Sequence, residues 1–383
     1  MAELTGNMSG KKVEYIELIY DLIFVYLLGR SNALLHSAEG GFPGGGAWFT
    51  YLISTLVILQ VWYFSSLYIN RCGTNGVWDH LFLFVNMYLL YYLADGTRLD
   101  WDGHFIRYNA AWGLLLVNHA LAYLRQLRRG TRPVWEQAHL RCHFFLLLGQ
   151  AVVVFAAIPL YGAVHFPLSW LSLLLGFAAS FFTHWLDRLV PVEPEHLTER
   201  VMLLVVFTFG ESIVSLAGYF TGPFGVNTLY FSLTGFLIVA GLLVSYGYLY
   251  NHVIDRERTD LGNGYMLLHI VVIVALNNIT VALEFMREPE VDDVGKNVLI
   301  VASFLLYYIF LSLIAHYAKR QMRGVLRSFL GWLLLSLLFA AAMALTYRNG
   351  RLSIGISVLY VYAMFAMLVL RRRRALRDEA AAG

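Results

Sequence analysis

The sequence predicts an all-α fold: a polytopic transmembrane helix bundle of about 12 helices, with both termini cytoplasmic. Three observations predict it. Of 383 residues, 59% are hydrophobic and 14% charged, and the mean hydropathy is +0.62. A soluble domain carries about 25% charge, so this chain has too few charges to cover a water-facing surface. Apolar stretches of about 20 residues, enough to span a bilayer, recur from one end to the other. Lysine and arginine gather in alternate loops.

Twelve segments can be marked, at about 15–36, 47–70, 79–97, 105–124, 140–161, 167–188, 199–219, 228–251, 264–286, 297–318, 326–347 and 352–370. Proline supports the cuts, because it removes a backbone donor and ends helices. Six of the eight prolines fall between segments, Pro167 opens one, and Pro159 lies near the end of another. The segment 79–97 is the shortest in apolar content, since it holds Asn86 and Asp95. Short loops make consecutive helices antiparallel neighbours.

With the N-terminus inside, the cytoplasmic loops and tails hold 21 Lys and Arg, the opposite loops hold 6, and Arg30 lies within a span. This is the bias expected of an inner-membrane protein. Moving the count by one helix would invert nearly every loop, so an even number of helices is expected. The run Arg371–Arg374 stops the last helix and suits anionic lipid. The start MAELTGNMSGKK has no apolar core before a small-residue cleavage site, so no cleaved leader is expected and the first helix serves as the insertion signal. Cys72 and Cys142 make no disulfide framework. The 24 Arg and 4 Lys form no basic soluble domain. Membrane lipids, not nucleic acid, are the expected partners, and a homo-oligomer is compatible with the sequence.

Twelve helices invite a search for two sixes. YIELIYDLIFVYLLGR opens with Glu17, and Gly29-Arg30 follows; LTERVMLLVVFTFGESIVS opens with Glu199, and Gly210-Glu211 follows. Six is even, so both halves enter from one side and form a parallel repeat. The expected organisation is a cytoplasmic N-terminus 1–14, repeats at 15–190 and 191–370, and a basic tail 371–383.

A charge at the centre of a spanning helix costs roughly 2.5–3.5 kcal/mol, so such residues face a partner, water or the bundle interior. Glu14, Glu17 and Asp21 share one helical stripe. Asp21 sits about 9 Å inside the cytoplasmic end, and Arg30 about 13 Å deeper on the opposite face. Arg200 could pair with the Glu17–Asp21 stripe. The repeat suggests Glu211 as the partner of Arg30. Gln60, Gln150, Asp187, His269 and Asn277 also lie in helices, where interhelical hydrogen bonding is the plainer role for each. The candidate intramembrane site is Glu17, Asp21, Arg30, Glu199, Arg200, Glu211, Ser212 and His269.

HLRCH places His139 and His143 four apart, and NHVID offers His252 and Asp255 three apart. Both spacings can put ligands on one helical face, but no four-ligand set emerges, so no metal is expected. There is no P-loop, dinucleotide fingerprint or HExxH motif, so no cofactor is expected. GESIV is not a nucleophile elbow, since Val replaces the closing glycine.

KKVEYIELIYDLIFVYLLGR resembles the opening motif of the bacterial low temperature requirement A family. PVEPEHLTERVMLLVVFTFGESIV resembles its second hallmark, a proline-rich lead, HLxER, an apolar run and GESI. VWYFSSLYINR is similar to its Trp-rich second helix, and YMLLHIVV to a looser third feature. The matches spread over roughly residues 12–290. The resemblance implies a multi-pass protein of the bacterial cytoplasmic membrane, and marks Glu17, Asp21, Arg30, His196, Glu199, Arg200, Gly210, Glu211 and Ser212 as family-defining; the histidine after the first motif, His36, stands later than in many members. The acid-bearing first helix of paired six-helix repeats is also distantly similar to the lysosomal potassium channel family, an analogy of fold.

Two function classes follow, with a third behind them. Charged residues within a repeated bundle suit an ion- or proton-coupled transporter or channel-like protein with an unidentified solute. The same acids could instead protonate a lipid or isoprenoid in an intramembrane enzyme. A non-catalytic sensor or assembly factor would need a docking surface, and the loops are short.

Overall fold

The computed structural model describes residues 11–36, 41–130, 132–164, 167–220, 225–258, 261–319, 322 and 329–382. Residues 1–10, Pro223, and Arg320, Arg323 and Arg327 of the basic loop lie outside these, as does the start of the 326–347 segment. The described residues are 86% helical and contain no strand, only an isolated bridge between Ile254 and Ala318.

The helices are α1 (Tyr15–Asn32), α2 (Gly45–Cys72), α3 (Val77–Gly96), α4 (Trp101–Arg129), α5 (Val134–Val164), α6 (Trp170–Phe182), the single turn α7 (His184–Asp187), α8 (Pro194–Ser215), α9 (Val226–His252), α10 (Asn263–Arg287), α11 (Asp293–Ile314), α12 (Phe329–Thr346) and α13 (Gly350–Ala382). Each of the twelve expected segments therefore contains a helix. Among the described residues, nine helices are long and apolar enough to cross a membrane. The other three differ for separate reasons. Asn109, Asn118 and His119 lower the hydropathy of α4, which spans 29 residues, while α6 and the apolar part of α12, Gly331–Thr346, are short.

Local chemistry sets several boundaries. Asp100 precedes α4 and its carboxylate accepts from the Gly103 amide. Asp292 does the same for Gly295 at the start of α11, at 2.7 Å. These are N-caps that satisfy donors a helix start leaves open. Gly130 ends α4 with φ +68°, a left-handed conformation that glycine adopts without strain. The Asp79 carboxylate accepts from the Thr74 amide at 2.7 Å and from the Thr74 hydroxyl at 3.0 Å, tying the α2–α3 turn to the first turn of α3.

The chain forms two compact units. The first comprises Met1–Leu34, Gly46–Leu203 and Arg256–Asn263. Its most enclosed helix is α2, with 83% of its apolar window buried. The α3–α4 and α4–α5 pairs are packed along their lengths. Gly96, at the end of α3, approaches the backbone of α4 so closely that an added Cβ would lie 3.0 Å from Tyr108 Cα. Gly96→Val is therefore expected to cost about 1–3 kcal/mol through overpacking, seen as a lower unfolding midpoint in detergent; an unchanged midpoint would show that the α3–α4 contact yields.

The second unit comprises Leu35–Gly45, Leu204–Asp255 and Gly264–Gly383. Its most enclosed helix is α10, 78% buried over its window, and α9, α12 and α13 pack together. In both units the usual soluble pattern is reversed. Phe182 is 78% exposed and Leu345 86%, while Asp21 and Arg200 are fully enclosed. Such apolar exposure suits hydrocarbon rather than water, and the chain is a multi-pass membrane protein.

Candidate functional site: charges enclosed at the starts of α1 and α8

Glu17 and Asp21 lie one turn apart on α1, so their side chains leave the same face. Both are buried in the first unit. The Arg200 guanidinium of α8 meets both: NH2 donates to Asp21 Oδ1 at 2.7 Å, and NH1 stands 3.1 Å from Glu17 Oε2. The first contact is a charge-assisted hydrogen bond. The second is an ion contact by distance, with neither atom aligned for a hydrogen bond. The Trp62 indole N–H donates to Asp21 Oδ1 at 2.9 Å, which satisfies a donor that an apolar setting would otherwise strand.

His196 joins α8 to α1. Its Nε2 lies 3.3 Å from Glu17 Oε1 and its Nδ1 lies 3.0 Å from Asn70 Nδ2. Asn70 fixes the proton on this ring. Its Oδ1 accepts from the Glu193 amide at 2.9 Å, and its Nδ2 donates to the Glu193 carbonyl at 3.0 Å. The amide orientation is thereby set, Nδ2 is the donor to His196 Nδ1, and the neutral imidazole carries its hydrogen on Nε2, toward Glu17. Asn70 thus holds the segment leading into α8 against the end of α2 at three points.

Lys11 approaches from outside the spans. Its ammonium donates to the carbonyls of Ile69 and Gly73 at the end of α2. Burial lowers its pKa, and the nearby Glu17 carboxylate offsets part of that. Lys11, Glu17, Asp79 and His80 line a small pocket of about 10 Å³, space for about one water molecule. Ile16, Ile69 and Leu83 add apolar side chains to its lining.

Two carboxylates face the Arg200 guanidinium, with the Lys11 ammonium near Glu17 and His196 Nε2 3.2 Å from Glu17 Oε2, and among the described residues Asp21 Oδ2 accepts no hydrogen bond. In an interior of low dielectric each enclosed carboxylate is costly unless it is paired.

The remaining sequence candidates are dispersed. Arg30 is exposed, pointing away from the enclosed face that carries Asp21, as nine residues of helix require, and no ion pair to it occurs among the described residues of its unit. Glu199 is half-buried beside Arg200 and outside the hydrogen-bonded set. Glu211 belongs to the second unit, where it is half-buried. Ser212 bonds Thr280 there at 2.6 Å, and His269 bonds the Tyr265 carbonyl at 2.8 Å and lies against the Tyr265 ring. His36 meets Glu284 at 2.7 Å.

The structure also supplies members the sequence reading did not select. Trp62 and Asn70 sit on α2 among apolar neighbours. Their signal was a buried donor or amide with no local partner, and it names no partner. His196 carried a motif position only. No curated protein matches the chain. Residues 12–369 match the family described as bacterial low temperature requirement A protein (LtrA). That span contains every residue of the enclosed cluster, and the chain belongs to this family.

Proposed function

We propose that the protein is an ion- or proton-coupled transporter or channel-like protein of the bacterial cytoplasmic membrane, with Glu17 and Asp21 as its cation- or proton-binding groups. The observation that carries this reading is the pair of enclosed acids at Arg200: Asp21 bonded to the guanidinium, Glu17 in ion contact with it, and Asp21 Oδ2 without a donor among the described residues. A purely structural ion pair needs only one acid, and the second adds the cost of a further desolvated charge. The polar pocket at Glu17 supports access from one end of the bundle, which the charge bias assigns to the cytoplasm. The finer architecture of this proposal is twelve spans in two parallel repeats, 15–190 and 191–370, between the N-terminus 1–14 and the basic tail 371–383. Arg30 and Glu211, with Glu199, Ser212 and His269, belong to the pathway in this arrangement.

The lipid-enzyme reading calls for an apolar cavity beside an acid. The apolar cavity of about 160 Å³ among α11, α12 and α13 has no carboxylate in its lining, so it lends that reading no support.

The test is flux. The full chain is reconstituted into vesicles holding a pH-sensitive dye, and proton, sodium and potassium gradients are imposed in turn. The protein is expected to dissipate at least one gradient. Glu17→Gln and Asp21→Asn are expected to reduce the flux to near that of empty vesicles while the unfolding midpoint stays measurable. Vesicles that remain as tight as empty ones under all three gradients would overturn the reading.

A further inference from the structure

A second enclosed cluster lies in the same unit, one residue along α2 from Asn70. His139 and His143 project from one face of α5, and Asp187 reaches them from α7. The three are buried, and one ligand-capable atom from each lies within 4.8 Å of the other two. Asp187 Oδ1 is 3.0 Å from His139 Nε2 and 3.6 Å from His143 Nε2. Ligands held at about 2.0–2.1 Å around a tetrahedral zinc ion stand about 3.3 Å apart, which these two spacings bracket.

The outer contacts orient these atoms inward. His143 Nδ1 lies 3.0 Å from the His139 carbonyl. As a neutral ring it donates there, and its Nε2 then presents a lone pair. Asp187 Oδ2 accepts from Asn263 Nδ2 at 2.5 Å and from the Thr183 hydroxyl at 3.3 Å, which leaves Oδ1 toward the histidines. A histidine anchored to a carbonyl and a carboxylate held through its other oxygen are the supports that metal ligands ordinarily have. The decisive feature is His143 Nε2 facing Asp187 Oδ1. Two acceptors directed at each other repel unless a cation, either a proton or a metal ion, stands between them.

Arg71 is the competing group. Its NH1 is 3.0 Å from Asp187 Oδ1 and 3.4 Å from His139 Nε2. These are distances between neighbouring corners, not from a corner to a metal centre. A guanidinium has no lone pair and cannot ligate. It serves Asp187 and His139, and its charge opposes a second cation.

We infer that His139, His143 and Asp187 form a binding site for a divalent transition-metal ion of the zinc class, with Arg71 setting its affinity. Imidazole and carboxylate donors in a three-ligand set suit such an ion and leave a coordination position open. The site is independent of the Glu17–Asp21 reading, and its test does not read flux.

The full chain in detergent, stripped with a chelator, is titrated with Co²⁺ and the visible absorption of the bound ion is followed; Zn²⁺ is then added as competitor. One Co²⁺ per chain, displaced by Zn²⁺, is expected. His143→Ala and Asp187→Asn are expected to weaken binding by about 10–100-fold. Arg71→Gln is expected to tighten it, because a like charge is removed, whereas a merely structural Arg71 would leave affinity unchanged or lower it. The wild-type and Arg71→Gln titrations decide the matter even if a ligand variant fails to fold. No saturable Co²⁺ or Zn²⁺ binding in either, or binding that His143→Ala leaves intact, would overturn the inference.

Discussion

Arg200→Leu is expected to lower the stability of the protein by about 3–5 kcal/mol, the cost of stripping a buried ion pair of one partner. Arg200 is fully enclosed and is the cation in hydrogen-bond contact with Asp21. Without it, two carboxylates remain in a setting that cannot solvate them. Neutralising both acids together, in Glu17→Gln/Asp21→Asn/Arg200→Leu, is expected to restore much of the loss, because the enclosed charge is then gone. The check is the unfolding midpoint in detergent, read by tryptophan fluorescence. A single variant as stable as the parent, or a triple variant no better than the single, would show that charge pairing is not what holds α1 to α8.

Asn70→Leu is expected to cost about 2–4 kcal/mol. The change removes both partners of the Glu193 backbone and the donor to His196 Nδ1. Each buried polar group left unmade costs about 1–3 kcal/mol, less where water reaches it, and Glu193 is half-buried. The loss of the donor also frees His196 to move its hydrogen to Nδ1, so the effect should extend to the Glu17 contact. Nuclear magnetic resonance of ¹⁵N-histidine would report the ring tautomer directly: Nε2–H in the parent and a mixed population in the variant. A parent ring protonated on Nδ1 would contradict the geometry at Asn70.

Some of this site could be read along the chain. The i, i+4 spacing of Glu17 and Asp21 puts both acids on one helical face whatever surrounds them. Nine residues of helix turn Arg30 to the other face, and it is exposed while Asp21 is enclosed. Arg200 was legible as a partner because it opens a helix at the same expected end of the bundle. The apolar composition likewise forces a membrane setting before any contact is known.

Other members could not be read that way. Asp187 stands 48 positions from His139, and a search for ligands at local spacing sees only the histidine pair, which is why no metal was expected. Trp62 donates to Asp21 across 41 positions, and Asn70 reaches His196 across 126. Periodicity along a helix fixes which side chains share a face, because 3.6 residues make a turn. It says nothing of which face of another helix comes to meet them. The sequence by itself determined that the chain is helical and membrane-spanning, where most helices begin and end, and that α1 carries a stripe of acids. Only the tertiary structure decided that one arginine serves both acids, that Asn70 sets the His196 hydrogen, and that Asp187 completes a set with His139 and His143. Those facts depend on helix-to-helix distance, which packing fixes and local spacing does not encode.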